Sequence, residues 1–360
     1  DRAGVGQTLI DLAGFHDDRG HHDKALDMYR EALEIERETG NESYQALCLN
    51  NIGSVYFSQG RYDDALTYFQ QALQLREKAK DPADTVETVH NLAETAMKMG
   101  RYDDALARYM KALELRRTIG DKRGAAIESY SLGTLFGQQG RLGAAVKSKE
   151  EALSTFRELG EKSFWTAEIL GGYANALSEA GRWEEAAKPL DEALALSREI
   201  KNDTLVAQTL RFQGNRHFYN GDPGEALKLF QQAQQTAARG NDKEQILAAR
   251  VAVARAAVAL GQAAPNVAAI RALEEQAASR GLKVVAADAS ILLGRALAAA
   301  GDGAAARREL ARAVATAEKL GLRVTEAEAR WALAGVLKAS GNAADAAEGV
   351  SNGKNDATPG

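Results

Sequence analysis

His90 stands three residues after Glu87 and four before Glu94. On a helix that spacing gathers one imidazole and two carboxylates on a single face. Such a trio can pass protons; the plainer account is a polar cluster on a solvated face. His16, His21 and His22 also lie close in sequence. Adjacent histidines in a turn chelate poorly, and no acidic ligand stands at a fixed spacing from them, so no metal is expected. Gly4 and Gly6 are not followed by the glycine-lysine-threonine of a phosphate loop. The one cysteine, Cys48, excludes an internal disulfide framework and a cysteine-rich zinc site. It reads as a small buried apolar residue. No nucleophile, base and orienting residue share a recognisable spacing, and no cofactor is expected.

The elements that must carry these residues are written in a repeat. Gly60-Arg61-Tyr62-Asp63-Asp64-Ala65-Leu66 recurs letter for letter at Gly100-Arg101-Tyr102-Asp103-Asp104-Ala105-Leu106, with a looser copy from Gly20 to Leu26. The glycine returns at Gly140, Gly181, Gly221, Gly261, Gly301 and Gly341, a forty-residue period with one extra residue before Gly181. Seven residues before each glycine stands a small residue, as at Gly53, Gly133, Gly214 and Gly294. Five and twelve after it stand alanines, as at Ala65 and Ala72, with a large residue between, as at Tyr29, Phe69, Tyr109, Leu190, Phe230 and Leu310; repeat seven departs, with Asn266 and Leu273 in the alanine positions. Small residues at fixed points let two helix backbones approach, and a large one fills the space left. The glycine ends the first helix in a left-handed cap, and a second glycine, at Gly40, Gly120, Gly160, Gly240, Gly281 and Gly321, closes the second. One such hairpin cannot bury its apolar face alone, so neighbours stack.

This pattern resembles the tetratricopeptide repeat. Ile52-Gly53, Ala65, Phe69 and Ala72 fit it in order, as do Leu92-Ala93, Ala105, Tyr109 and Ala112. The period is longer than the commonest form, and the usual proline is replaced by turns such as Gly120-Asp121. That variant is similar to the long-helix repeats of Pins-type spindle-orientation adaptors and of bacterial regulators. The resemblance implies an all-α, right-handed α-solenoid of about eight repeats and a partial ninth over residues 7–350, with boundaries near 40, 80, 120, 160, 201, 240, 281 and 321. Residues 1–6 are expected to be a flexible lead-in and residues 351–360 a disordered tail. Lys149 takes the aromatic slot of repeat four, and Pro265 is expected to start the second helix of an irregular repeat seven.

In that family the first helix of each pair lines an inner groove. The resemblance then places Asn50, Ser54, Phe57, His90, Glu94, Tyr130, Thr134, Asn175, Arg211, Asn215, Phe218, Arg255 and Arg295 on the binding face, together with Glu87, Met97 and Glu168. In the Pins-like adaptors an asparagine just after the Leu-Gly pair holds ligand backbone, and Asn175 and Asn215 occupy that position. Glutamates populate the first half of the face and Arg211, Arg255 and Arg295 the second, which suits an acidic or carboxyl-bearing peptide. Trp331 is expected on the groove side of the last helix.

The composition agrees with a long helical array: 360 residues, 26% charged, 45% hydrophobic and 5 prolines. A net charge of -5 argues against general nucleic-acid or anionic-membrane binding. No apolar run reaches membrane-spanning length. The chain does not begin with methionine, so a larger parent such as a kinase or ATPase regulator is expected. Function is read as a non-catalytic, cytoplasmic, bacterial scaffold that binds a peptide or partner helix. The alternatives are self-association through the last repeat, or an enzyme centred on His90 that would need a closed pocket there.

Overall fold

The computed structural model describes residues 2–80, 82–240, 242–262 and 266–339. Among them seventeen helices and no strand occur, and the chain divides into two compact units, residues 1–128 and 129–360. The first unit holds α1 (Arg2–Asp17), α2 (His22–Thr39), α3 (Glu42–Ser58), α4 (Tyr62–Ala79), α5 (Pro82–Lys98), α6 (Tyr102–Thr118) and the start of α7 (Lys122–Gln138). The second holds the rest of α7, then α8 (Leu142–Leu159), α9 (Phe164–Glu179), α10 (Trp183–Glu199), α11 (Asp203–Tyr219) and α12 (Pro223–Gly240). It continues with α13 (Lys243–Ala259), α14 (Val267–Ser279), α15 (Lys283–Ala299), α16 (Gly303–Leu320) and α17 (Arg323–Ala339). Each unit is an α-solenoid of antiparallel helix pairs.

Small-against-large packing inside each pair is direct. A Cβ added at Gly53 would stand 2.7 Å from the Phe69 ring, one at Gly214 2.4 Å from the Phe230 ring, and one at Gly294 2.5 Å from Leu310. Ala65, Phe69 and Ala72 are fully buried, and so are Ala226, Phe230 and Ala233. In repeat four the lysine fills the same slot. A Cβ at Gly133 would meet Lys149 Cγ at 2.7 Å, and α8 runs unbroken past it.

The turns follow the glycines. Every first-helix glycine from Gly20 to Gly301 has positive φ, between 74° and 88°, and its amide bonds back to the last turn, as Gly60 N–H does to Phe57 O at 2.9 Å. Gly40, Gly120, Gly160, Gly281 and Gly321 are left-handed as well, but Gly240 is not: it is the last residue of α12. Two second helices end instead on lysines in the left-handed region, Lys80 at φ 59° and Lys201 at φ 54°. A side chain strains that conformation. Lys80→Gly and Lys201→Gly are each expected to stabilise the fold by about 1 kcal/mol, read as a higher urea midpoint at unchanged slope.

Residues 2–6, expected as a lead-in, instead form the first turns of α1. Gly6 is buried against the side chains of Ile35 and Glu36, and that contact anchors the segment. Pro265, Gly341, the second helix of repeat nine and the tail 351–360 lie outside the described residues. The irregular seventh repeat keeps a shorter second helix, α14, whose Ile270 and Leu273 are buried.

Consecutive first helices pack on one another: α1 on α3 and α3 on α5 in the first unit, and α9 on α11, α11 on α13, α13 on α15 and α15 on α17 in the second. No comparable contact joins consecutive second helices among the described residues. Helices that crowd on one side and splay on the other curve the stack, so the first helices line the inner face of each unit. In the second unit the curvature brings the Gly140 turn back to the head of α17. A Cβ at Gly140 would lie 3.5 Å from Val324 Cγ2 and 3.7 Å from Arg323 Cβ.

Candidate functional site

In the first unit most of the expected groove residues serve the fold. Asn50 is nearly buried and accepts from Thr88 Oγ1 and Asn91 Nδ2, both at 3.2 Å, which ties α3 to α5. The Ser54 hydroxyl donates to its own helix at Asn50 O. Phe57 lies edge-on to Tyr62 with ring centroids 5.4 Å apart. His90 does not work with Glu87 and Glu94 as its spacing suggested. Its Nδ1 faces Glu128 of α7 at 2.9 Å, and that carboxylate is 0% exposed. Glu87 instead accepts from Arg116 at 2.7 Å, and Asp121 accepts from the same guanidinium at 2.8 Å. Burial alone would lower the His90 pKa, but the hydrogen bond and charge of Glu128, with Glu94 and Glu87 nearby, reverse this and raise it. The result is an ion cluster in which the His90 imidazole is already engaged by Glu128 of α7. His22 Nδ1 meets Asp17 at 2.8 Å, and His16 and His21 face each other at 3.4 Å. No group of three metal-ligating side chains forms among the described residues.

The second unit presents two rows of polar side chains on its inner helices. In one, Tyr130 Oη donates to Glu168 Oε1 at 2.7 Å and Gln208 Nε2 donates to the same oxygen at 3.1 Å. Burial, followed by the Glu168 charge, pushes the Tyr130 hydroxyl far above its ordinary pKa. Thr134 caps the Tyr130 carbonyl at 3.2 Å. The ring can lie on α9 because Gly172 has no side chain; a Cβ there would fall 2.4 Å from Tyr130 Oη. Lys149 reaches between these helices from behind. Its Nζ donates to Gly172 O at 3.3 Å and stands 5.1 Å from the Tyr130 ring centre. Burial lowers its pKa against the pull of Glu179 and Glu168.

The other row is a ladder at the repeat period. Arg255 Nη2 donates to Asn215 Oδ1 at 2.5 Å, Asn215 Nδ2 to Asn175 Oδ1 at 3.0 Å, and Asn175 Nδ2 to Glu179 Oε1 at 2.8 Å. Three rings hold the Arg255 guanidinium, with centroids 4.7 Å (Phe218), 5.6 Å (Phe230) and 5.8 Å (Tyr219) away. Arg295 stands over Trp331 at 5.7 Å, and Trp331 is 72% exposed. Asp288 of α15 is open to water yet walled in by neighbouring helices. That enclosure pushes its carboxyl up to about 7, with Glu328 adding and Arg255 and Arg211 opposing. Charges from α9, α11, α13, α15 and α17 therefore act within one concave space.

Sequence reasoning missed Glu128, Arg116, Gln208, Glu179 and Gly172. The signal was available in part: the hydrogen bonds between successive inner helices join residues 38 to 41 apart, close to the repeat period.

Paired helices, small-large packing and an inner face built from first helices define a tetratricopeptide-repeat solenoid. A family model for the tetratricopeptide repeat matches residues 4–78, and one for the MalT-like TPR region matches residues 78–352. The second match spans well over half of the chain, which belongs to the MalT-like TPR region family. The fold is similar to that of a Rap protein complexed with Competence and Sporulation Factor, at 14% identity and TM-score 0.61, covering 96% of this chain and 99% of that one. It is also similar to the apo form of RapI (15%, TM-score 0.58, 85% and 99%). A third similar structure is the Rap conjugation gene regulator of plasmid pLS20 in complex with the Phr* peptide (17%, TM-score 0.55, 88% and 74%). No curated protein matches the chain.

Proposed function

We propose that this protein is a binding scaffold, without chemistry of its own, whose second unit takes an extended peptide or partner helix on its inner face. The observation that carries this reading is the ladder Arg255–Asn215–Asn175–Glu179. Its side-chain amides repeat on the inner helices and are linked by hydrogen bonds that a peptide backbone could exchange for its own. The Phr* peptide and Competence and Sporulation Factor found with similar folds favour the same class of ligand. The scaffold would serve a bacterial, cytoplasmic signalling or regulatory protein, with an acidic ligand segment towards Arg255 and Arg295.

A panel of synthetic peptides screened against the wild-type protein and an Asn175→Ala/Asn215→Ala double variant tests the reading. Peptides that bind the wild type are expected to lose about tenfold or more in affinity, since two backbone contacts of about 1 kcal/mol each disappear. Equal binding to both proteins would remove the ladder from the site.

A further inference from the structure

We infer that the cleft on the outer side of the second unit, between α10 and α12, binds a small phosphate monoester through Arg198, Lys201 and Arg239. The site is separate from the inner face. Val206 and Leu210, which line the cleft, stand on the side of α11 opposite Gln208, Arg211 and Asn215.

The repeat itself shows which group is missing there. Seventeen residues after one turn glycine, and eleven after the next, stand two side chains on facing sides of successive second helices. In α4 and α6 they are Glu77 and Lys111, paired at 2.8 Å, and in α8 and α10 they are Arg157 and Glu192, paired at 3.1 Å. In α10 and α12 the same positions hold Arg198 and Gln232. The guanidinium is kept, and an amide replaces its carboxylate. Arg37 and Gln71 form the same combination in α2 and α4, but Arg37 turns to Glu34 on its own helix at 2.7 Å. Arg198 has Leu194 and Ala195 where such a carboxylate would stand, and among the described residues it makes no ion pair. In later repeats alanine takes one or both positions, as Ala238 with Ala272 and Ala278 with Arg312.

A cavity of about 520 Å³ opens at this place, and Lys201 and Arg239 line it together with Arg198 and Gln232. Lys201 stands in the left-handed turn that ends α10 and makes no ion pair among the described residues. Asp203 is the one carboxylate in the lining, and it meets Arg239 Nε at 3.5 Å. The lining therefore carries a net of two positive charges, which a phosphate monoester, close to a dianion at neutral pH, matches. A single exposed ion pair contributes little. Three cations around one dianion contribute more, since each N–H bond to the phosphate is charge-assisted. The apolar body of the ester would lie on Val206 and Leu210, and the volume falls in the small-ligand range of roughly 300–1,000 Å³.

Isothermal titration of the full chain at low ionic strength tests the site, since salt screens exposed charge. The probes are phenyl phosphate, inorganic phosphate and phenol. Phenyl phosphate is expected to bind saturably and more tightly than inorganic phosphate, and phenol is expected not to bind. Arg198→Gln should weaken phenyl phosphate about tenfold. Gln232→Glu is the sharper variant: it restores the carboxylate that Glu192 supplies one repeat earlier, so it should close the site at least as far while melting no lower than wild type. Gln74→Glu makes the same charge change at an exposed position of the first unit and should bind as wild type does. So should the Asn175→Ala/Asn215→Ala variant of the inner face. Absence of saturable binding, or phenol or inorganic phosphate binding as tightly as phenyl phosphate, would overturn the inference. So would an unchanged affinity in either cleft variant, or an equal loss in Gln74→Glu or the inner-face variant. Loss of the peptide reading alone would leave the cleft site standing.

Discussion

Phe230→Ala is expected to lower the stability of the second unit by about 3–5 kcal/mol, the range for an aromatic removed from a closed core. Phe230 is fully buried, and its ring fills the space that Gly214 leaves by having no Cβ. It also backs the Arg255 guanidinium, so the same change should loosen the inner face. The companion variant Gly214→Ala overfills the same contact and is expected to cost about 1–3 kcal/mol. Combined with Phe230→Leu, part of that loss should return, because the smaller side chain gives the new methyl room. Urea unfolding of the three variants measures both effects. A loss below about 1 kcal/mol for Phe230→Ala would mean that the large-into-small contact is not what holds a repeat together.

The second large effect is a pH dependence centred on Glu128. His90 has a raised pKa in the fold, so its pairing with Glu128 contributes fully below the unfolded value of about 6.5. That contribution is lost as pH rises through the folded value. Wild type should therefore be more stable near pH 6 than near pH 8.5 by an amount that Glu128→Gln removes. At the lower pH the substitution should cost about 3 kcal/mol, because it leaves a buried imidazolium and part of Arg116 without their anion. Guanidinium unfolding would screen the pair, so urea titrations at both pH values are the appropriate measurement. If wild type and variant keep parallel profiles between those values, the His90–Glu128 pair is not the titrating contact.

How far the sequence could be read follows from what a repeat encodes. The glycines at forty-residue spacing, and the small and large residues between them, describe contacts within one helix pair. Gly53 with Phe69 and Gly214 with Phe230 follow from that spacing alone. Contacts between pairs depend on how each hairpin is staggered on the next, which the period does not state. His90 was therefore matched with Glu87 and Glu94 on its own helix, whereas its partner is Glu128 one repeat along. Asn50 was assigned to the groove, whereas it bonds to Thr88 and Asn91. The helix ends at Lys80 and Lys201 lie at the expected boundaries but carry no glycine to announce a left-handed cap, and there a lysine adopts it. In the second unit Asn175, Asn215 and Arg255, expected only as separate residues of a binding face, bond to one another because all three sit at one position of successive repeats.

The return of the Gly140 turn to Val324 and Arg323 has an evolutionary consequence. An open stack tolerates a module gained or lost by recombination, since every neighbour is alike. A coil whose successive gyres touch does not: one hairpin more or fewer would carry Gly140 past α17 or leave it short. Between those two points the number of hairpins is thus fixed by closure. Variation in this stretch is expected as exchanged side chains on the inner wall, with the tally of repeats unchanged.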